Sequence, residues 1–241
     1  MSNTPVIELK GVTKVYQQGK IEVQALRGLD LTINKGEFTA ICGPSGSGKS
    51  TALNLIGALD DATSGTVKLE GNDLSTLGRK KRSHIRRDRI GFVFQAYNLM
   101  PVLSAYENAE SVLALQGVPL AERKAKVMPL LKEVGLEGME GRRPDELSGG
   151  QQQRVAIARA IASSPAVVLA DEPTANVDSA TAEKLLDIME KLNKEHGVTF
   201  VFSTHDPRVM KRARRVVMLV DGRVDADQHK ESGEDAQGVP Q

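Results

Sequence analysis

Gly43-Pro44-Ser45-Gly46-Ser47-Gly48-Lys49-Ser50-Thr51 is the stretch that decides the fold. It follows the compact apolar run Phe38-Thr-Ala-Ile-Cys42. It leads into Thr51-Ala-Leu-Asn-Leu-Ile-Gly-Ala-Leu59, whose apolar residues recur at helical spacing, so the local order is strand, glycine-rich turn, helix. The stretch fits G-x-x-x-x-G-K-[ST]. Glycines there let successive amide hydrogens converge on one phosphate, and the helix start adds partial positive charge at the same spot. Lys49 would bring a full charge to the terminal phosphates, and the Ser50 hydroxyl suits a hard Mg2+ ion. A glycine turn ahead of an ordinary helix is the bland alternative, and the strand-helix setting argues against it.

Working outward, Val167-Val-Leu-Ala-Asp171-Glu172 is an apolar run ending in two carboxylates. That places them at a strand's C-terminal tip, where open α/β sheets bind ligands. Asp171 is expected to hold Mg2+, and Glu172 is close enough to orient or deprotonate a water. The runs at 166–170, 198–202 and 216–220 are separated by helix-length segments, the alternation of a parallel sheet covered by helices. Upstream, short apolar runs at 6–9, 23–26 and 29–33, punctuated by glycines 11, 19, 28 and 36, read as a meander of short strands. Gly65–Gly71 reads as another strand, and Ile90–Phe94 as a buried one. From Ser104 to about Ala162 the pattern is helical, with breaks at 117–119, 135 and 141–144. Asp221-Gly222 predicts a hairpin turn. The charged and polar stretch from about Ala226 predicts a disordered tail.

Composition bounds the partners. The 241 residues carry 32 Lys and Arg against 31 Asp and Glu, a net charge of +1, which argues against a nucleic-acid protein held by bulk electrostatics. One cysteine excludes a disulfide framework or a Cys-rich metal site, and Cys42 reads as a small buried residue. No stretch approaches about 18 consecutive apolar residues, so no membrane-spanning helix is expected, and the first ten residues lack the layout of a secretory signal. The run Arg79-Lys-Lys-Arg-Ser-His-Ile-Arg-Arg-Asp-Arg89 reads first as a solvated helix face, second as a contact for anionic lipid head groups, and last as a nucleic-acid site. The stripe Leu185, Leu186, Ile188, Met189, Leu192 reads as core.

Leu147-Ser148-Gly149-Gly150-Gln151 supplies a second cradle, because Ser148 can cap a helix that starts on two glycines and so exposes its amides. One nucleotide seldom needs two such cradles in one chain. At these residues the sequence resembles the ATP-binding subunits of ABC transporters, from about residue 5 to 225. The resemblance implies an α/β P-loop NTPase core with a mostly parallel sheet, an N-terminal antiparallel β subdomain, and a helical subdomain inserted at about 96–164. It implies ATP and Mg2+ as cofactors, with Gly43 to Thr51 as Walker A, Asp171 as the Walker B aspartate and Glu172 as the catalytic carboxylate. By the same resemblance Leu147 to Gln151 form the signature, with Ser148, Gly149, Gly150 and Gln151 on the nucleotide, Gln95 is the Q-loop glutamine at the metal, and His205 is the switch histidine on the γ-phosphate. Asp178 is the D-loop aspartate (Val177 stands where the family commonly has leucine), and Tyr16 is the aromatic that stacks on adenine.

The family arrangement implies a head-to-tail pair of identical chains, each signature closing the ATP held by the other's Walker A. It also implies a separate integral membrane permease, with no nucleic-acid partner. Residues Gln95 to Glu107 are the expected coupling surface, with Leu99, Met100 and Val102 exposed around Pro101. Phe92 to Pro101 with Ser104 to Asn108 is similar to the lipoprotein-release and macrolide-efflux subgroup, which implies a place on the cytoplasmic face of the inner membrane and room for a periplasmic or adaptor protein. The alternatives are the ATPase subunit of an importer, a soluble ABC ATPase of translation or repair, and a binding-only regulatory cassette.

Overall fold

The computed structural model describes residues 5–19 and 21–230. Two sheets carry the molecule. The first is antiparallel, in the order β2 (Ile21–Asn34), β1 (Pro5–Gln18), β4 (Ser64–Leu69), β5 (Asn72–Asp73). The expected meander of short strands is corrected here: the N-terminal runs merge into two strands of 14 residues each. Their register shifts between Leu9 and Val12, across Gly11, so that glycine marks a bulge inside a strand and does not end one.

The second sheet runs β10 (Arg223–His229), β9 (Arg215–Val220), β3 (Phe38–Cys42), β8 (Phe200–Ser203), β7 (Val167–Asp171), β6 (Ile90–Phe94), and all its pairings but β10–β9 are parallel. Both faces are covered, which is why all five residues of β3 are buried and its sequence is a continuous apolar run. On one face lie the antiparallel sheet and α1 (Lys49–Ile56), with Leu26, Ile33, Ile41 and Ile56 between them. Helices α5 (Gly149–Ile161) and α6 (Ser179–His196) contribute to the core on the other face, where Leu185, Leu186, Met189 and Leu192 are buried and Ile188 partly so. Phe38, Phe200 and Phe202 pack at that interface, the Phe38 and Phe202 rings 4.7 Å apart. Between β6 and β7 the chain leaves the sheet for α3 (Ala105–Leu115) and α4 (Leu120–Glu133) before α5 returns it.

The C-terminal expectation also needs correcting. Asp221 and Gly222 do form the hairpin, both with positive φ (47° and 76°), but β10 continues to His229 where disorder was expected from Ala226. The reason is a buried charge. Arg215 is 7% exposed, and its Nε and Nη2 donate to the Asp227 carboxylate at 2.8 and 2.7 Å while Nη1 donates to Glu37 and to the Thr32 carbonyl. Removing Asp227 from the sheet would leave that guanidinium short of a counter-charge. The remainder of the expected tail, from 231 on, lies outside the described residues.

Parallel register brings the strand ends together. Phe94 lies beside Asp171, and Asp171 and Ile41 both lie beside Ser203. The residues that follow, Gly43, Gln95, Glu172 and Thr204, therefore emerge along one rim of the sheet, the place where such sheets take ligands.

Candidate nucleotide site

The loop from Gly43 to Gly48 joins β3 to α1, and close contacts at its two end glycines leave no room there for side chains. Gly43 has φ +147°, and a Cβ there would collide with the Leu219 carbonyl and stand 2.7 Å from Ser47 Oγ. The hairpin braces the loop from behind, since Gly222 N donates to the Ser47 carbonyl at 3.0 Å. Lys49 Nζ donates to the carbonyls of Gly43 and Pro44 at 2.7 and 2.9 Å, holding the ammonium across the mouth of the loop. α1 starts on Gly48 with no side-chain cap, so its first amides are left for a ligand, and the Ser47 hydroxyl is buried with no partner. The pieces fit a polyphosphate. Ser50 Oγ lies 3.5 Å from Asp171 Oδ1, an oxygen pair from α1 and β7 of the kind a hard divalent cation takes.

Glu172 follows Asp171 with φ +45°, a left-handed backbone that only a well-determined site retains. Its carboxylate accepts from the Thr204 hydroxyl at 3.0 Å and from the His205 backbone at 3.1 Å, and lies 2.6 Å from His205 Nδ1. Three groups from the end of β8 thus fix one carboxylate. His205 itself is 77% exposed at its side chain, so the rest of the imidazole faces outward. Cys42, at the end of β3, is buried and its thiol is pushed up to about 11 by that burial, in keeping with a packing role.

Gln95 sits where β6 ends, but its side chain is turned toward the loop after β7. Its Nε2 donates to Asn176 Oδ1 at 3.2 Å, and Asn176 Nδ2 returns a bond to the Gln95 carbonyl at 3.0 Å. No hydrogen bond among the described residues joins Gln95 to Ser50 or Asp171. Tyr16, half-buried on β1, donates to Asp60 Oδ2 at 2.8 Å with Lys14 Nζ 4.7 Å from its ring centroid, so one face of that ring meets a cation already. Ser148 caps α5 by accepting from Gln151 N at 3.3 Å while the Gln151 side chain accepts from Ser148 N at 2.8 Å. A Cβ on Gly150 would collide with Thr181 Cγ2, and one on Gly149 would stand 2.7 Å from Tyr97 Oη. Asp178 caps α6 by accepting from the Thr181 amide and hydroxyl at 2.9 and 2.6 Å, which hold its carboxyl below the usual range. No hydrogen bond among the described residues links 148–151 to 43–51: the two cradles are separate within one chain.

Several residues that the sequence reading did not single out hold these parts in place. Thr204 holds Glu172. Gln153, fully buried on α5, donates to the Pro173 carbonyl at 2.6 Å and so ties the signature helix to the loop behind Glu172. Arg159, further along α5, donates to the carbonyls of Tyr97 (2.8 Å) and Asn98 (2.5 Å), two residues with φ of +58° and +49°. Burial pulls its guanidinium pKa below the ordinary arginine value. Tyr97 in turn donates to the Asn176 carbonyl at 3.1 Å. Their only sequence signal is a polar residue, Gln153, among the buried positions of α5.

A family model described as ABC transporter matches residues 26–175. The lipoprotein-releasing system ATP-binding protein LolD of Anaeromyxobacter dehalogenans is 47% identical over 232 residues, 95% of this chain and 97% of that protein. The macrolide export ATP-binding/permease protein MacB of Paracoccus denitrificans is 45% identical over 94% of this chain, which spans 34% of that longer protein. Among solved structures, one chain of the dimeric ATP-binding cassette MJ0796 of Methanocaldococcus jannaschii, in a post-hydrolysis state bound to ADP and Pi, superposes with a TM-score of 0.85 at 44% identity over 94% of this chain and 99% of that one. With the two cradles, the acidic end of β7 and this breadth of similarity in hand, the chain belongs to the ATP-binding cassettes of ABC transporters.

Proposed function

We propose that this cassette hydrolyses Mg-ATP as a head-to-tail pair and delivers the work to a separate permease of the lipoprotein-release and macrolide-efflux kind. The observation that carries the reaction is the Glu172 carboxylate, fixed by Thr204 and His205 at the rim that also bears the 43–51 loop. Amides of 43–51 take the polyphosphate, Lys49 offsets its negative charge, and Tyr16 stacks on the adenine once Lys14 gives way. Ser50, Asp171 and Gln95 are the Mg2+ residues, with Gln95 turning from Asn176 to serve; bound there, the cation withdraws charge from the reacting phosphate oxygens. Glu172 orients the attacking water in line with the γ-phosphate and draws on its proton. His205 holds Glu172 through Nδ1 and presents its other nitrogen to the γ-phosphate. The Gly149 and Gly150 amides of a second copy, left open by the Ser148–Gln151 capping box, complete the set of donors around the developing charge, and Asp178 fixes the start of α6 against that seam.

Glu172→Gln tests this. Turnover should fall by about 10²–10⁴, the usual worth of a positioned general base. Nucleotide binding should survive, and Mg-ATP should convert the variant to a dimer on a sizing column. Normal turnover by this variant, or a monomer at saturating Mg-ATP even with the permease supplied, overturns the reading.

No helix among the described residues is long and apolar enough to cross a membrane. We place the cassette on the cytoplasmic face of the inner membrane, docked on a separate permease, with room for a periplasmic or adaptor protein beyond it. A groove of about 390 Å³ lies between α2 (Arg79–Arg89), β6, α3 and α5, floored by Phe92 and Phe94 and walled by Leu59, Val112 and Leu115. Leu59 and Leu115 are 49% and 71% exposed, an apolar opening suited to a short permease helix. This groove adjoins the expected coupling surface at 95–107 and shares Asn98 with it. Leu99 packs against the core and is not exposed, whereas Met100 and Val102 are. Asn108, fully buried, fixes this loop by bonding Met100 N and O and the carbonyls of Leu103 and Ser104.

A further inference from the structure

Helix α2 carries seven Lys and Arg and one acid, Asp88, in a chain whose total is +1. Its cations divide into two groups. Those toward its C-terminus fasten the helix to the fold: Arg86 donates to the Ala58 carbonyl at 2.7 Å, Arg87 to Asp88 and the Leu115 carbonyl, and Arg89 to both Glu70 oxygens at 2.7 and 2.6 Å. Arg82 pairs with Asp61. Arg79, Lys80 and Lys81 are exposed and have no hydrogen bond or ion pair among the described residues. Packing gives no account of them, and neither does the helix. They crowd its first turn, where the macrodipole favours acids, no acid is present there, and Gly78 gives no side-chain cap.

Their placement suggests a partner. Ser83, Arg86 and Arg87 line the groove assigned above to the permease. Ser83 follows Lys80 by three residues, roughly 5 Å along the axis at 1.5 Å per residue. Three unpaired cations on flexible stems therefore stand within one helical turn of the surface that faces the membrane protein. We propose that this end of α2 contacts anionic phospholipid head groups beside the permease and helps orient the cassette against the bilayer. The inference rests on the groove being the permease side. An anionic bilayer fits better than nucleic acid, because residues 79–89 contain no Phe, Tyr or Trp for base stacking and the chain has no basic excess. It fits a diffuse cluster because screened attraction to a charged surface needs no fixed geometry, only proximity within about 8 Å, the Debye length at physiological salt.

The test is partitioning of the purified full-length chain onto vesicles of phosphatidylcholine alone or with phosphatidylglycerol, at low and high salt. The wild type should prefer the anionic vesicles and lose that preference at high salt. Arg79→Ser/Lys80→Ser/Lys81→Ser should lower partitioning on the order of 100-fold, from the usual contribution of each basic residue near an anionic surface. Its basal ATPase rate and melting temperature should match the wild type; if the triple variant folds poorly, Lys80→Ser/Lys81→Ser serves with an effect on the order of tenfold. Equal partitioning of the wild type onto both vesicles overturns the proposal, as does an undiminished preference in the variants. So does a variant that binds anionic vesicles normally but no longer captures its permease in detergent, since the patch would then read a protein surface. ATPase activity is followed in the same samples, so a cassette that hydrolyses ATP yet ignores lipid charge refutes this inference alone.

Discussion

Residues 43–51 and 148–151 both present amides at the start of a helix, yet their surroundings differ. The first start has no side-chain cap, carries Lys49, and lies against Asp171 through Ser50. The second is capped by Ser148, has no lysine or arginine in its first turn, and is bounded by Tyr97, Asn176 and Thr181. Charge decides what each can do. A polyphosphate with its cation can settle on the first cradle alone, whereas the second can only add neutral donors to a phosphate already neutralised elsewhere. On the function proposed above, binding belongs to one surface of the chain and closure to another, and no hydrogen bond among the described residues joins the two.

The largest effect that breaks this comparison comes from the second cradle. Ser148 is exposed, so Ser148→Arg should fold, with about 1 kcal/mol lost for the missing cap. Hydrolysis should fall by at least about 10²-fold, the cost of removing aligned donors from a reacting oxyanion. Binding of ATP to the monomer, read by equilibrium titration, should stay near wild type. Lys49→Ala should do the converse and weaken binding by roughly tenfold to a hundredfold, the worth of a charge-assisted bond. Mixing the two variants sharpens the contrast: the hybrid pair contains one composite site built from an intact Walker A and an intact signature. Partial recovery of ATPase activity on mixing is expected, and none at any ratio would mean that the cradles do not meet.

The first cradle was legible in the sequence because its glycines, lysine and hydroxyl are contiguous and flanked by a strand and a helix. So were the ends of the parallel strands, where an apolar run stops at a carboxylate or a histidine. Whatever depends on partners far along the chain was not. Asp227 looked like part of a polar tail because its reason for order, Arg215, stands in a different strand and appears there as the last of a basic stretch, Lys211 to Arg215, ahead of the apolar run. Nothing local to Gln95 announced that its amide bonds Asn176, a contact spanning 81 positions. Leu99 was expected to be exposed because spacing alone does not say which side of a loop meets the core.

Arg159 is the middle-sized test, because it ties the helix of the second cradle to the loop that follows β6. Tyr97 and Asn98 hold left-handed backbone, at a cost of order 1–3 kcal/mol each, and the guanidinium bonds both carbonyls. Arg159→Gln should leave ATP affinity unchanged, since no hydrogen bond among the described residues joins it to 43–51, and lower kcat by roughly tenfold if one of those strain terms is no longer held. A change in affinity without a change in kcat would mean that the clamp supports the first cradle instead.

The smallest expected effect falls on the bracing of the first cradle alone. Gly222 bonds the Ser47 carbonyl, the Leu219 carbonyl limits Gly43, and the hairpin that carries both is held by Asp227 against the buried Arg215. Arg215 holds the Asp227 carboxyl below its ordinary value, so its contribution is fully present above the unfolded aspartate pKa near 3.9 and is lost as pH falls through the folded value. The carboxylate is 36% exposed, which screens the pair, and Asp227→Asn should cost about 1 kcal/mol at neutral pH. For a chain of this size that is a fall of roughly 2–4 °C in melting temperature. The melting curves of variant and wild type should converge as the pH is lowered below the ordinary aspartate range. A gap that persisted in acid would locate the role of Asp227 in packing and not in charge. A loss of signature-dependent closure with ATP binding intact would show that the two cradles share a brace, which the separate contacts of residues 43–51 and 148–151 argue against.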